Sequence, residues 1–194
     1  MERPMLDLDP KTTALVLIDL QKGIVGREIA PRSGAEVCAT GIALAKEFRA
    51  AGAPVVLVNV DFSADGGDML KQRVDQPMAS PPGGWPAGWS ELVDGLQEPG
   101  DILVTKHQWG AFHGTGLDLQ FRRRGITTFA LGGVATNFGV ESTARQGWEL
   151  GYEIALVEDA CATMSPELHD MAIRFILPRL SRITKAGDLA FSAS

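Results

Sequence analysis

The sequence predicts an α/β fold: a three-layer α/β/α, Rossmann-like, doubly wound and mostly parallel six-stranded sheet. Three observations predict it. Apolar runs of strand length alternate with segments of helix length. The strand-length runs are apolar almost throughout, as strands covered on both faces are. The connections are short in all but one place, and strand–helix alternation with short connections builds βαβ units.

The elements follow in order. "TALVLIDL", Thr13–Leu20, is β-branched and Leu-rich and reads as the first strand. "GAEVCATGIALAKEFRAAG", Gly34–Gly52, has apolar residues at helical spacing and stops at Gly52, a normal helix end. "PVVLVNV", Pro54–Val60, is the second strand, opened by a proline that an initial strand position tolerates. The pattern then fails. Asp61–Gly100 is rich in Gly, Pro, Ser and Asp and includes "PPGGWPAGW". It reads as a long irregular excursion, a lid or interface segment, with a short helix near Ser90–Leu96; stretches this long are usually functional or flexible. "DILVTK", Asp101–Lys106, is the third strand, and "GTGLDLQFRRRG", Gly114–Gly125, a short helix. "TTFALGG", Thr127–Gly133, is the fourth strand, and "TNFGVESTARQGWELG", Thr136–Gly151, a helix capped by Gly151. "YEIALVED", Tyr152–Asp159, is the fifth strand. "SPELHDMAIRFILPRL", Ser165–Leu180, opens a helix with Ser165 as N-cap and Pro166 at its first position. "SRITKAGDL" supplies a short last strand. No internal repeat or linker divides the 194 residues, so residues 1–194 form one domain.

Composition narrows the function. Apolar residues make up 45% and charged residues 22%, enough for an ordinary core. A net charge of −6 argues against nucleic-acid binding, which needs a basic face. "FRRRG", Phe121–Gly125, is basic, but cations favour a helix C-terminus and this reads as a solvated helix end. No apolar run approaches the roughly 20 residues that cross a bilayer, and the start lacks a signal-peptide pattern. Two cysteines, Cys38 and Cys161, without regular spacing, suggest neither a disulfide framework nor a zinc ribbon. A cytoplasmic protein with no membrane and no nucleic-acid partner is expected. Each cysteine reads as a small buried apolar residue.

In open α/β sheets ligands bind outside the carboxyl ends of the strands. Asp19 falls at the end of the first strand and Lys106 at the end of the third. The turn Gly132–Thr136 ends the fourth, and Gly139 follows on the first turn of its helix. Three separate segments thus bring a carboxylate, an ammonium and a helix N-terminus to one edge. A charged residue at a strand end is often only where the strand meets water, so neither Asp19 nor Lys106 would suffice alone. Together they form a candidate acid–base pair beside backbone N–H groups able to stabilise negative charge.

These segments carry a resemblance. The chain resembles the isochorismatase-like (cysteine hydrolase) superfamily over nearly its whole length. The matching pieces are "ALVLIDLQKGIV", "VTKHQWGAFHGTGLDLQFRRRGI" and "GGVATNFGVESTARQGWELGYEIALVEDACA". The third is the most specific: the family reads roughly G-V-x-T-x-x-C-V-x-x-T-A-R there. Within the superfamily the chain is similar to the YecD-like branch, which shares "QWGAF" and "ESTAR" and also has Gly at the cysteine position. The resemblance implies a homo-oligomer, a dimer or tetramer, acting on a small-molecule substrate. It implies that Asp19 and Lys106 belong to a triad whose third member, a cysteine, is replaced by Gly139. It also implies a non-proline cis peptide at Val134–Ala135 shaping an oxyanion hole, with Val134, Ala135 and Thr136 binding substrate or oxyanion.

The departures matter. Gly139 offers no nucleophile, so a covalent thioester cannot form there. Nicotinamidases carry a D-x-H…H metal cluster after the second strand; "VNVDFSADGGDM" has Asp61 but no His, and His107, His113 and His169 form no ligand set, so no metal or other cofactor is expected. True isochorismatases also have Gly at the cysteine position, since a vinyl ether needs a proton rather than an acyl nucleophile. They carry a Ser where this chain has Gly110, and a Gln after the second strand where it has Asn59, Asp61 and Ser63. Trp109 and Phe112 are expected to line the pocket or pack on a neighbouring subunit, and Trp85 and Trp89 to form an apolar lid or an interface. The leading expectation is a metal-independent, cysteine-free hydrolase of a small anionic or enol-ether metabolite, with Asp19 as acid–base and Lys106 as its partner. A residual amidase using direct water attack and a catalytically silent binding or structural oligomer remain as alternatives.

Overall fold

The structure is a computed structural model that describes residues 5–77 and 81–191. Its main sheet has six strands, all pairs parallel. After a short strand β1 (Leu6–Leu8) come β2 (Thr13–Ile18), a one-turn helix α1 (Lys22–Val25), α2 (Gly34–Ala50), β3 (Val55–Val60) and β4 (Ile102–Lys106). Then follow α3 (Leu117–Arg123), β5 (Thr128–Val134), a π turn (Thr136–Val140) running into α4 (Glu141–Glu149), β6 (Glu153–Ala162), α5 (Pro166–Met171), β7 (Arg182–Thr184) and β8 (Leu189–Phe191). The main sheet runs β4-β3-β2-β5-β6-β7. Its winding reverses between β2 and β5, where open α/β sheets leave a crevice at the strands' carboxyl ends.

Two cores make the three layers. Every residue of β2 is buried, as its unbroken apolar run requires. Ala14, Val16 and Ile18 face one way, with Val140, Ala144, Phe121 and Leu177. Leu15 and Leu17 face the other, with Val37, Leu44 and Phe48 of α2. The period-two alternation of strand side chains sends each set to its own layer. α2 starts at a capping box in which Ser33 and Glu36 satisfy each other's backbone N–H.

Several expectations are corrected. No helix forms near Ser90–Leu96. Leu92 instead bridges Gln21, and Val93 N–H donates to Leu20 O at 3.0 Å, so this stretch is spent on pairing with the loop after β2. The carboxy-terminal helix is not continuous: α5 passes into a π turn (Ala172–Ile176) and a 3₁₀ turn (Leu177–Arg179), where Pro178 has no N–H to extend an α-helix. The fifth predicted strand is longer, because a register shift between Leu131 and Gly133 lets β6 continue beside β5; Cys161 lies inside it rather than beyond it. The last predicted strand shortens to β7, which completes the main sheet, and two strands that were not predicted, β1 and β8, pair in parallel with each other.

The end of the excursion around Trp85 and Trp89 is tied to the chain that follows β2. Gln21, fully buried, donates from Nε2 to Val60 O and Trp89 O, both at 3.1 Å, and accepts from Val60 N–H at 2.8 Å. Gly23 N–H donates to Trp89 O at 3.0 Å. Trp85 and Trp89 lie with ring centroids 4.1 Å apart, and Phe62 stacks on both. A Cβ at Gly23 would fall 2.0 Å from the Trp89 ring, so this aromatic cluster presses directly on the loop that follows the candidate acid.

Candidate active site

β2 delivers Asp19 in an unusual conformation. Its φ is +54°, in the left-handed region that non-glycine residues seldom enter, although Asp tolerates it better than most. The turn lifts the chain out of the strand as Asp19 N–H donates to Val58 O at 2.8 Å. Backbone strain of this kind collects at functional sites. Lys106 is the last residue of β4, two strands away, and is 2% exposed. Its ammonium donates to Asp19 Oδ2 at 2.7 Å and to Gln108 O at 3.1 Å. Asp19 is 5% exposed, and its Oδ1 is buried without a hydrogen-bond partner, so one carboxyl oxygen is left for something else.

Gly139 lies against this pair. A Cβ at Gly139 would sit 3.4 Å from Asp19 Oδ2, 3.0 Å from Ile18 Cγ2 and 3.5 Å from Trp109 O. The Val134–Ala135 peptide is cis. Ala135 O accepts from Phe138 N–H and Val140 N–H, starting the helical turn whose first N–H groups have no acceptor within the helix. Asp19, Lys106, Gly139 and the Val134–Ala135–Thr136 turn therefore meet at the switch point.

The loop after Lys106 is docked on α4. Ala111 N–H donates to Thr143 Oγ1, which donates to Gly139 O at 2.7 Å. Gln146 Oε1 accepts from the N–H groups of Phe112 and His113. A Cβ at Gly110 would lie 2.4 Å from the Gln146 amide, so the serine of the true isochorismatases has no room here while Gln146 makes those bonds. Trp109 is 56% exposed, with its ring 4.9 Å from that of Phe138 beside Gly139. Phe112 is not brought to the site. It is buried among Phe121, Phe129 and Tyr152, while Gln146 of α4 accepts from its backbone N–H. His107 bonds Asp61 O and sits 3.4 Å from Asp68, and His113 is exposed.

Cys38 is half-buried on α2 rather than fully buried, since its face of the helix meets solvent at an edge; Cys161 is buried in β6 and donates to Val157 O. Burial pushes both thiols up, Cys161 to about 12, so both are protonated near neutrality. Among the described residues no group of three or more His, Cys, Asp or Glu gathers as a metal site, and no helix is long and apolar enough to cross a membrane.

Burial pushes the Asp19 carboxyl up to about 6, against the pull of the Lys106 ammonium. The native protein then holds this proton more tightly than the unfolded chain, so Asp19 favours folding below its ordinary range near 3.8 and loses that contribution as pH rises through about 6. The unfolding free energy of the wild type relative to Asp19→Asn is expected to fall between pH 4 and about pH 6.5 in urea titrations. A rise over that window would mean that Lys106 outweighs burial.

Sequence reasoning missed His169. It is 2% exposed on α5, with Nδ1 2.9 Å from Thr136 Oγ1. The available signal was its place at the head of an apolar helical stripe continuing through Ala172, Ile173 and Ile176.

Fold and site define a class: a doubly wound α/β protein with a buried acid–ammonium pair at its switch point, facing the start of a helix. The chain belongs to the isochorismatase family, whose Isochorismatase domain matches residues 13–188. It is 48% identical over 186 residues to the uncharacterized isochorismatase family protein YecD of Escherichia coli O157:H7, covering 95% of this chain and 98% of that one. It is 34% identical over 189 residues to the ureidoacrylate amidohydrolase RutB of Methylobacterium radiotolerans, covering 86% and 73%. Among solved structures, an isochorismatase family protein from Burkholderia thailandensis superposes with a TM-score of 0.90 at 45% identity, covering 95% and 96%.

Proposed function

We propose that the protein is a hydrolase of a small anionic metabolite that works without a cysteine nucleophile and without a metal. Asp19 is its proton-transfer group, Lys106 the partner that holds and tunes it, and the Val134–Ala135–Thr136 turn receives a carboxylate or oxyanion. One observation carries this reading: the buried Lys106–Asp19 contact of 2.7 Å, with a glycine where a side chain would touch the same carboxyl oxygen.

In the leading version the substrate is an enol ether. The neutral Asp19 carboxyl gives its proton to the terminal carbon, leaving an oxocarbenium ion. Water adds to that ion and returns a proton to Asp19. The resulting hemiketal collapses to an alcohol and a keto acid, so the acid is regenerated and only water is consumed. Trp109 and Phe138 offer apolar faces beside the space that Gly139 leaves.

A second version has independent support from the likeness to the ureidoacrylate amidohydrolase. Here the Asp19 carboxylate is a base that directs water onto an amide or ureido carbonyl.

The pH profile separates the two. An acid must be protonated, so kcat/KM would be level below about pH 6 and fall about tenfold per unit above it. A base must be ionised, so kcat/KM would rise to about pH 6 and then level off. Pyruvate release from isochorismate and related enol ethers, and ammonia release from small amides and ureides, would be followed on chelator-treated protein. Pyruvate release with the falling profile supports the enol-ether version; ammonia release with the rising profile moves the assignment to the amidase. Release of neither across both panels counts against both and favours a binding role.

A further inference from the structure

His169 takes no part in the proton transfer described above, yet its burial and contacts are specific. Its ring crosses from α5 to the turn after β5, where Nδ1 lies 2.9 Å from Thr136 Oγ1. Among the described residues this is the one hydrogen bond recorded for the Thr136 side chain, and Thr136 is itself fully buried. Nε2 is shielded from solvent and has no partner.

A neutral imidazole has one N–H donor and one acceptor nitrogen, so Nδ1 either donates to Thr136 Oγ1 or accepts from its hydroxyl. In both cases the bond ties the ring to the turn. Burial and the nearby Arg32 hold the ring below the usual histidine range, with Glu158 and Asp170 pulling weakly the other way. Arg32 comes from the loop before α2 and is anchored on Glu158 O and Cys161 O of β6. Glu158 lies on β6 and Asp170 on α5.

The geometry points to His169 as a positioning residue: through the hydrogen bond between Nδ1 and Thr136 Oγ1 it fixes Thr136, and with it the N–H groups that open the helix carrying Gly139. This rests on the reading of that turn as the carboxylate or oxyanion site. A second tie acts on the next residue, as Thr163 Oγ1 donates to Asn137 Oδ1 at 2.5 Å. The turn is thus held from α5 and from the end of β6 together.

The choice of replacement tests the atom. Asparagine at 169 can place an amide N–H near the position of Nδ1; glutamine reaches instead to that of Nε2; leucine fills the space without a donor. Long-range ¹H–¹⁵N spectra of ¹⁵N-histidine-labelled protein at pH 7 should show the Nδ1 resonance of His169 move in Thr136→Val, and an unchanged resonance would overturn the proposal. On whichever panel is turned over, His169→Asn should keep kcat within a few-fold. His169→Gln and His169→Leu should lose about tenfold to a hundredfold in kcat, with melting temperatures used to compare only folded variants. Equal losses in all three, or none, would overturn it. If neither panel is turned over, the function reading fails separately. In that case pyruvate serves as a carboxylate probe: its shift of the Thr136 amide resonance should persist in His169→Asn and vanish in His169→Leu, and equal responses in both would overturn the proposal.

Discussion

Asp19→Asn is expected to lower turnover by about a thousandfold or more while leaving the protein at least as stable as the wild type above pH 6. The activity loss follows from removing the proton-transfer group, an effect of about 10²–10⁴ for general acids and bases. The stability expectation follows from burial. Above about pH 6 the wild type must hold an ionised carboxylate in a site that disfavours it even with Lys106 attached. Asparagine keeps the shape and tolerates the positive φ. It also leaves the Lys106 ammonium two acceptors, its own carbonyl oxygen and Gln108 O, so the cation is not orphaned. A residue whose removal costs activity but not stability is held for its chemistry. Kinetics on the panel that turns over, with urea unfolding at pH 7.5, decide it. A variant destabilised by several kcal/mol with turnover intact would instead make the pair a structural ion pair.

Gly133→Ala should be the most damaging small substitution in the sheet. β5 runs directly beside β2 at this point, with Gly133 opposite Ile18. Gly133 has φ +123°, and a Cβ there would fall 2.1 Å from Ile18 O and 2.5 Å from Ile18 N. Both atoms are backbone in the centre of a parallel sheet, so no side chain can turn aside. Either the two strands part or the chain refolds locally. Strain and overpacking of this kind together cost about 3–5 kcal/mol. Ile18 precedes Asp19, so any folded fraction should also misplace the carboxyl relative to Lys106 and lose turnover. Urea unfolding and the rate per folded molecule test both parts. A stability change under about 1 kcal/mol would mean that the strands separate easily here.

The fold was legible where one physical requirement dominates each segment. The unbroken apolar run of β2 demands cover on both faces and receives it. Asp19 and Lys106 could be placed on one edge because parallel strands end on the same side. What escaped depended on partners remote in the chain. β1 and β8 are three residues each and come from opposite ends, so neither carries a periodic signal strong enough to read. The stretch near Ser90–Leu96 has local helix character that pairing with Gln21 and Leu20 overrides. Phe112 sits in the same short motif as Trp109, yet one ring is core and the other exposed, because loop spacing does not say which way a side chain turns. His169 lies 33 residues from Thr136, and only the tertiary packing of α5 on the turn joins them.

The Asp19–Lys106 contact spans 87 residues, and the neighbour strand β5, which ends in the Val134–Ala135 turn, comes later still. During synthesis β2 therefore emerges long before β5 can cover it. Its apolar edge must wait, exposed, for a partner that closes one of the longest loops in the chain. No early fragment can hold Asp19 at its raised pKa, since the burial that raises it has not yet formed. A half-made chain thus lacks the Asp19 environment and carries an uncovered apolar strand, and the period before β5 docks is one in which it is open to aggregation.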